Sequence, residues 1–208
     1  IAMRDLSIRG AGNILGASQS GFIDSVGFEM YSQLLEEAIA TKQGKIQKRL
    51  KGNTEINLQI DAYLPSDYIS DERQKIEIYK RIRELTGQKD YQELQDELID
   101  RFGEYPDQVA YLIEIGLVKY YLDQAFVELV ERKSNNLNLR FEKNAQTYYL
   151  TQDYFEALSQ TNLKAQIREY QGQIDIIFDS RQKKDYEILE ELRHFGQALQ
   201  EIRARKEK

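Results

Sequence analysis

The stretch Thr54-Glu55-Ile56-Asn57-Leu58-Gln59-Ile60-Asp61-Ala62-Tyr63-Leu64-Pro65 decides the fold class of this 208-residue chain. Ile56, Leu58, Ile60, Ala62 and Leu64 alternate with Glu55, Asn57, Gln59, Asp61 and Tyr63. That is the period-two pattern of a strand with one buried face, and Pro65 stops it. Beyond Pro65 the period changes to that of helices. Ser70 or Asp71 can cap a first helix, with Ile76, Tyr79, Ile82 and Leu85 as its core face and Gly87 at its close. Tyr91, Leu94, Leu98 and Phe102 mark a second helix from about Asp90, which Gly103 ends. Pro106 opens a third, running through Val109, Leu112, Ile113, Leu117 and Tyr120 to about Leu122.

Further along, strand patterns return at Phe126–Glu131, Leu137–Phe141, Ala165–Tyr170 and Ile174–Phe178, with turns at Ser134-Asn135-Asn136 and Gln171-Gly172. A helix of about Asp153–Gln160 separates the two pairs. A long charged helix from about Lys183 closes the chain on the stripe Tyr186, Leu189, Leu192, Phe195, Leu199 and Ile202. On the other side of the opening stretch, Gly10, Gly12, Gly16 and Gly21 shape an ordered loop. An amphipathic helix at 25–43 and a basic connector, Lys45 to Gly52, come after it. The boundary falls near Asn53. The predicted fold is α+β: residues 53–208 form a helix-rich module with a small, mostly antiparallel sheet, and the glycine-rich loop and amphipathic helix of residues 1–52 precede it. The chain opens mid-pattern at Ile1, so it is expected to be part of something longer.

Composition narrows the chemistry. The chain has no cysteine, which removes disulfides, thiolate zinc sites and thiol nucleophiles and fits a reducing, cytoplasmic setting. No apolar run reaches the ~18 residues of a membrane span, so no membrane partner is expected. Residues 1–52 carry seven Lys/Arg against five Asp/Glu, and the remainder 22 against 30. The bulk of the chain is therefore acidic and poorly suited to phosphate contact, while the basic stretch Lys42–Lys51 suits either a nucleic-acid backbone or a solvated linker.

Candidate sites thin out quickly. The run Gly10-Ala11-Gly12-Asn13-Ile14-Leu15-Gly16 lacks the Lys-Ser/Thr of a phosphate loop and has Leu15 where a dinucleotide fingerprint needs glycine. His194 is the only histidine, so no imidazole pair exists to share a metal. The neighbours Asp96-Glu97 and Glu190-Glu191 splay about 100° apart on a helix and read as solvated faces. Glu77/Arg81 reads as a surface pair at i,i+4. Tyr111, Tyr120, Tyr121, Tyr148 and Tyr149 read as core packing in so acidic a module. No catalytic, metal or cofactor residue is assigned.

The string Arg4-Asp5-Leu6-Ser7-Ile8-Arg9-Gly10-Ala11-Gly12-Asn13-Ile14-Leu15-Gly16-Ala17-Ser18-Gln19-Ser20-Gly21 resembles the end of the motor in RecG-type double-stranded DNA translocases. From Val26 to about Leu122 the chain is similar to the C-terminal domain of the bacterial transcription-repair coupling factors, the Mfd family, and the hairpins and final helix beyond Ala125 are placed by their patterns alone. The similar strings are Val26-Gly27-Phe28, Ile60-Asp61-Ala62-Tyr63-Leu64-Pro65, Tyr79-Lys80-Arg81-Ile82 and Glu97-Leu98-Ile99-Asp100-Arg101-Phe102-Gly103. The resemblance implies that Arg9 and Gln19, on a loop shaped by Gly10, Gly12, Gly16 and Gly21, link nucleotide state to movement along duplex DNA. It also implies a parent ATP hydrolase, using ATP and magnesium bound outside this chain. Such a parent displaces RNA polymerase stalled at lesions and recruits the repair protein UvrA. The module at 53–208 would be a regulatory clamp on the parent's N-terminal repair-recruiting domain, non-catalytic alone. A RecG-like fork-remodelling helicase and a free-standing interaction adaptor are the alternatives.

Overall fold

The structure, a computed structural model, describes residues 54–208. The glycine-rich loop, the amphipathic helix at 25–43 and the basic connector lie outside the described residues. Two compact units emerge: Gln59–Leu117 is the first, and residues 54–58 with Val118–Lys208 are the second.

The first unit is helical. Helix α1 (Glu72–Arg83) starts where Asp71 accepts a hydrogen bond from the Gln74 amide at 2.9 Å, as expected of an N-cap carboxylate. Its buried positions are Lys75, Ile78, Tyr79 and Ile82; Ile76, expected in the core, is only half-buried. Helix α2 (Gln88–Phe102) ends on Gly103, whose φ of 82° admits glycine readily. Gly87 does not close α1: it precedes α2 with φ 143°, and Glu84 caps α1 instead. Helix α3 (Asp107–Gln124) is buried on so many sides that Ile115, off the expected stripe, joins Val109, Leu112 and Ile113 in the core. Within the first unit, α3 comes close to α1 at Gly116. A Cβ there would lie 2.5 Å from Ile82 Cγ2 and 2.9 Å from the Ile82 carbonyl, so only glycine fits.

The second unit is a five-stranded sheet in the order β1-β2-β3-β5-β4. Its strands are β1 (Glu55–Asn57), β2 (Val127–Lys133), β3 (Asn136–Phe141), β4 (Ala165–Tyr170) and β5 (Gln173–Asp179). All neighbours are antiparallel except β1 and β2, which run parallel. The predicted strand at 55–64 is thus cut to three residues. Its alternation of burial persists through Leu64, but Gln59 adopts φ 57°, a left-handed conformation that breaks the ladder.

One sheet face is covered. Val130, Leu139, Phe141, Ile176 and Phe178 point towards α4 (Thr151–Leu158) and α5 (Asp185–Lys206), which supply Tyr154, Ile188, Leu192, Phe195 and Leu199. Phe195 sits edge-on to Phe178, with centroids 5.7 Å apart, and to Phe141 at 6.5 Å. Tyr186, expected on the α5 stripe, is exposed, and Ile188 takes the core position. A short 3-10 turn (Lys143–Thr147) leads into α4.

Two buried carboxylates fix the edges of this layer. Asp153, 4% exposed, accepts from the Leu150 amide at 2.6 Å and pairs with Lys206, joining the start of α4 to the end of α5. Glu191, 7% exposed, accepts from the Asn162 backbone at 2.9 Å and its side-chain amide at 3.2 Å. The expectation that Glu190-Glu191 is a solvated face therefore holds for Glu190 alone.

Candidate interaction surface

The net charge is divided between the units. Residues 59–117 hold fourteen Asp/Glu against seven Lys/Arg, whereas the described part of the second unit is nearly balanced at sixteen against fifteen. The acidity of the module thus belongs almost wholly to the helical unit.

Part of that acidity is internally paired. Arg81 bonds Glu97; Arg101 Nη1 donates to Glu97 Oε1 at 2.8 Å and to Glu77 Oε1 at 3.1 Å. The expected Glu77/Arg81 surface pair is replaced by a chain of charges, Glu77, Arg101, Glu97 and Arg81, that ties α1 to α2. The Arg81 hydrogen bond foremost, aided by Arg101, holds the Glu97 carboxyl below its ordinary range, and bonds to Glu97 and Glu77 raise Arg101. The loop before α1 is fixed to the same corner. The Tyr68 hydroxyl, hydrogen-bonded to the carbonyl oxygens of Leu98 (3.2 Å) and Gly103 (3.0 Å), has its ring 5.9 Å from Phe102, and desolvation raises its pKa.

Other carboxylates of this unit face solvent. On α2, Asp96 and Asp100 flank Ile99, an aliphatic side chain 47% exposed, and Glu104 and Asp67 stand exposed at the same end. The placement works against the helix itself. Asp100 lies in the last turn of α2, where the macrodipole is negative and a carboxylate is disfavoured by roughly 0.3–1 kcal/mol. Asp100 at the unfavourable end of the helix, with Asp96 and Glu104 exposed around the same isoleucine, forms a surface suited to a basic partner.

The other sequence candidates fall elsewhere. Arg9, Gln19, Gly10, Gly12, Gly16 and Gly21 lie outside the described residues. His194 is half-buried on α5, and among the described residues no group of three His, Cys, Asp or Glu is placed to hold a metal ion. Tyr121 and Tyr149 are buried, as packing predicts; burial pushes the Tyr149 hydroxyl up to about 12. Tyr148 is instead exposed, stacked on Phe126 at 4.4 Å with the Arg203 guanidinium 4.9 Å from its ring. Sequence reasoning missed the surface around Ile99, although the signal was present in the cluster of acids at 96–107. No described helix is long and apolar enough to cross a membrane.

An α+β module whose most developed feature is a charged helical corner is what the described residues define. Residues 58–151 match the model of the TRCF domain. The chain is 49% identical over 156 residues to the transcription-repair-coupling factor of Bacillus subtilis (strain 168), covering 75% of this chain and 13% of that protein. It is 45% identical over 146 residues to that of Staphylococcus aureus (strain USA300), covering 70% and 12%. A crystal structure of the C-terminal domain of transcription-repair coupling factor superposes with a TM-score of 0.74 at 62% identity, over 76% of this chain and 98% of that one. The chain belongs to the transcription-repair coupling factor family. It spans about an eighth of the length of the Bacillus and Staphylococcus relatives.

Proposed function

We propose that this chain is the regulatory part of a longer, cytoplasmic, ATP-dependent double-stranded DNA translocase. That parent would couple transcription to nucleotide excision repair by displacing RNA polymerase stalled at lesions and recruiting UvrA. Residues 1–52 would form the tail of the motor, with Arg9 and Gln19 as its coupling residues. Residues 53–208 would be a non-catalytic clamp resting on the parent's N-terminal repair-recruiting domain, and ATP with its magnesium would bind elsewhere in the parent.

The observation that carries the clamp reading is the concentration of net negative charge in residues 59–117, with Asp96, Asp100 and Glu104 exposed around Ile99. Carboxylates at the rim of a contact speed encounter and set register, and their attraction fades with salt over a screening length of about 8 Å at physiological ionic strength. Such a contact is strong enough to hold a tethered domain, yet weak enough for a motor to release. The paired charges Glu77, Arg101, Glu97 and Arg81 would keep α1 and α2 in register beneath it.

The test compares ATPase activity and UvrA capture of the parent protein with those of a version truncated after Gly52, then adds residues 53–208 in trans. Truncation is expected to raise both, and the added module to lower them. No change in either would end the clamp reading.

A further inference from the structure

The sheet of the second unit ends on an edge that the fold leaves open. Strand β4 pairs with β5 in unbroken register from Ala165↔Phe178 to Tyr170↔Gln173, closed by the two-residue turn Gln171-Gly172 at φ 50° and 78°. The Asp179 amide donates to the Lys164 carbonyl at 3.0 Å, which fixes the alternation: Lys164, Gln166, Arg168 and Tyr170 turn their backbone groups towards β5. The N–H and C=O groups of Ala165, Ile167 and Glu169 therefore point away from the sheet, and no backbone bond to them is made among the described residues. Natural edges are commonly blunted by proline, a bulge or shortness. β4 has six residues, no proline and no register shift.

Beside this edge, on the sheet face opposite the helices, lies a groove of about 830 Å³ lined by Asn136, Asn138, Lys164, Gln166, Arg168 and Arg181, among others. Its one carboxylate, Asp179, is engaged by Arg181 at 2.6 Å. Lys164 shares the field of Asp179 with Arg181, and Arg168, opposite Asp175 in the register, leaves that carboxylate to Arg140 and hydrogen-bonds Gln166 at 3.4 Å. An otherwise acidic chain thus places three cations against one carboxylate, with amide groups, along the longer of the two sheet edges among the described residues.

We propose that β4 is a strand-addition site for an extended acidic polypeptide segment. The incoming strand would pair with the backbones of Ala165, Ile167 and Glu169. It would set carboxylates over Lys164 and Arg168 on the groove face and an aliphatic residue beside Ile167 on the other. A second copy of this chain fits less well, because antiparallel β4 pairing would bring Lys164 and Arg168 of both copies to one face.

The test uses the 208-residue chain and an eight-residue peptide of alternating glutamate and valine, with a lysine-valine peptide as control. Binding is read by fluorescence anisotropy and by amide exchange. The acidic peptide is expected to slow exchange at Ala165, Ile167 and Glu169 and to bind at least tenfold more tightly than the lysine peptide. Ile167→Pro removes an outward N–H without touching the β5 ladder, and Arg168→Glu reverses the groove charge; each is expected to weaken binding at least tenfold. Alternate N-methylation of the peptide removes the same backbone bonds from the other side, and holds the proposal to account if Ile167→Pro fails to fold. Equal binding of the two peptides, unslowed exchange at the three amides, displacement by a DNA duplex, or dimerisation through β4 would each overturn it.

Discussion

The two units are built by opposite means. The first is two helices and the α3 residues up to Leu117, locked by a glycine contact and a chain of charges, and it carries a surplus of seven acidic residues over 59 positions. The second is a sheet whose core is aromatic, with Phe141, Phe178 and Phe195 meeting edge to face, and its charge is nearly balanced. The difference teaches where each unit keeps its specialisation. In the helical unit hydrophobic packing lies beneath a surface that electrostatics has shaped, at some expense in helix stability. In the sheet unit the buried carboxylates Asp153 and Glu191 hold helices and loops in place, and the open features are the edge and outer face of the sheet.

The contrast is sharpened first by cutting into each core. Phe195→Ala is expected to destabilise the sheet unit by about 3–5 kcal/mol, the usual effect of removing a buried phenylalanine, read as lost amide protection in β3 and β5. In the helical unit Gly116→Ala adds a single methyl where no room exists. Overpacking of that kind costs about 1–3 kcal/mol, and protection in α1 and α3 should fall. Glu191→Ala leaves the Asn162 amide without its acceptor, and about 1–3 kcal/mol should be lost by chemical denaturation.

Smaller effects separate the electrostatics. Because Arg81 and Arg101 lower the folded-state pKa of Glu97, its stabilising contribution is fully present above the ordinary glutamate range. It is lost as pH falls through the lowered folded value. Stability measured from pH 6 down to 2 should therefore drop less steeply in Glu97→Gln than in the parent sequence. Asp100→Asn removes a carboxylate from the negative end of α2 and should stabilise the chain by about 0.5 kcal/mol, a gain that persists only at low salt. A loss of stability there would break the claim that the surface charge serves something other than the fold.

Much of the fold was legible because periodicity reports burial directly. The alternation at Ile56–Leu64, the helix ends at Asp71 and Gly103, and the hairpin turn at Gln171-Gly172 all follow from local chemistry. The parallel pairing of β1 with β2 did not, since some seventy residues separate Ile56 from Val130 and nothing local specifies the partner. Nor did the left-handed Gln59, an ordinary polar residue whose conformation is imposed by its surroundings. Choices such as Ile78 over Ile76 and Ile188 over Tyr186 depend on which neighbours cover a helix. A single stripe in sequence leaves them open. The acidic corner was half legible. Composition showed the charge, but only the structure separated Glu97, held by two arginines, from Asp96 and Asp100 in solvent.

The central claim is that this exposed charge clamps the parent protein, and charge reversal at Asp96→Lys with Asp100→Lys in the intact parent tests it most directly. The pair lies outside the Arg81 and Arg101 contacts, so the helical unit should stay folded. If the acidic corner is the docking surface, ATPase activity and UvrA capture should rise towards the values of the version truncated after Gly52. If both stay at the level of the unaltered parent while the chain remains folded, the corner is not the clamp.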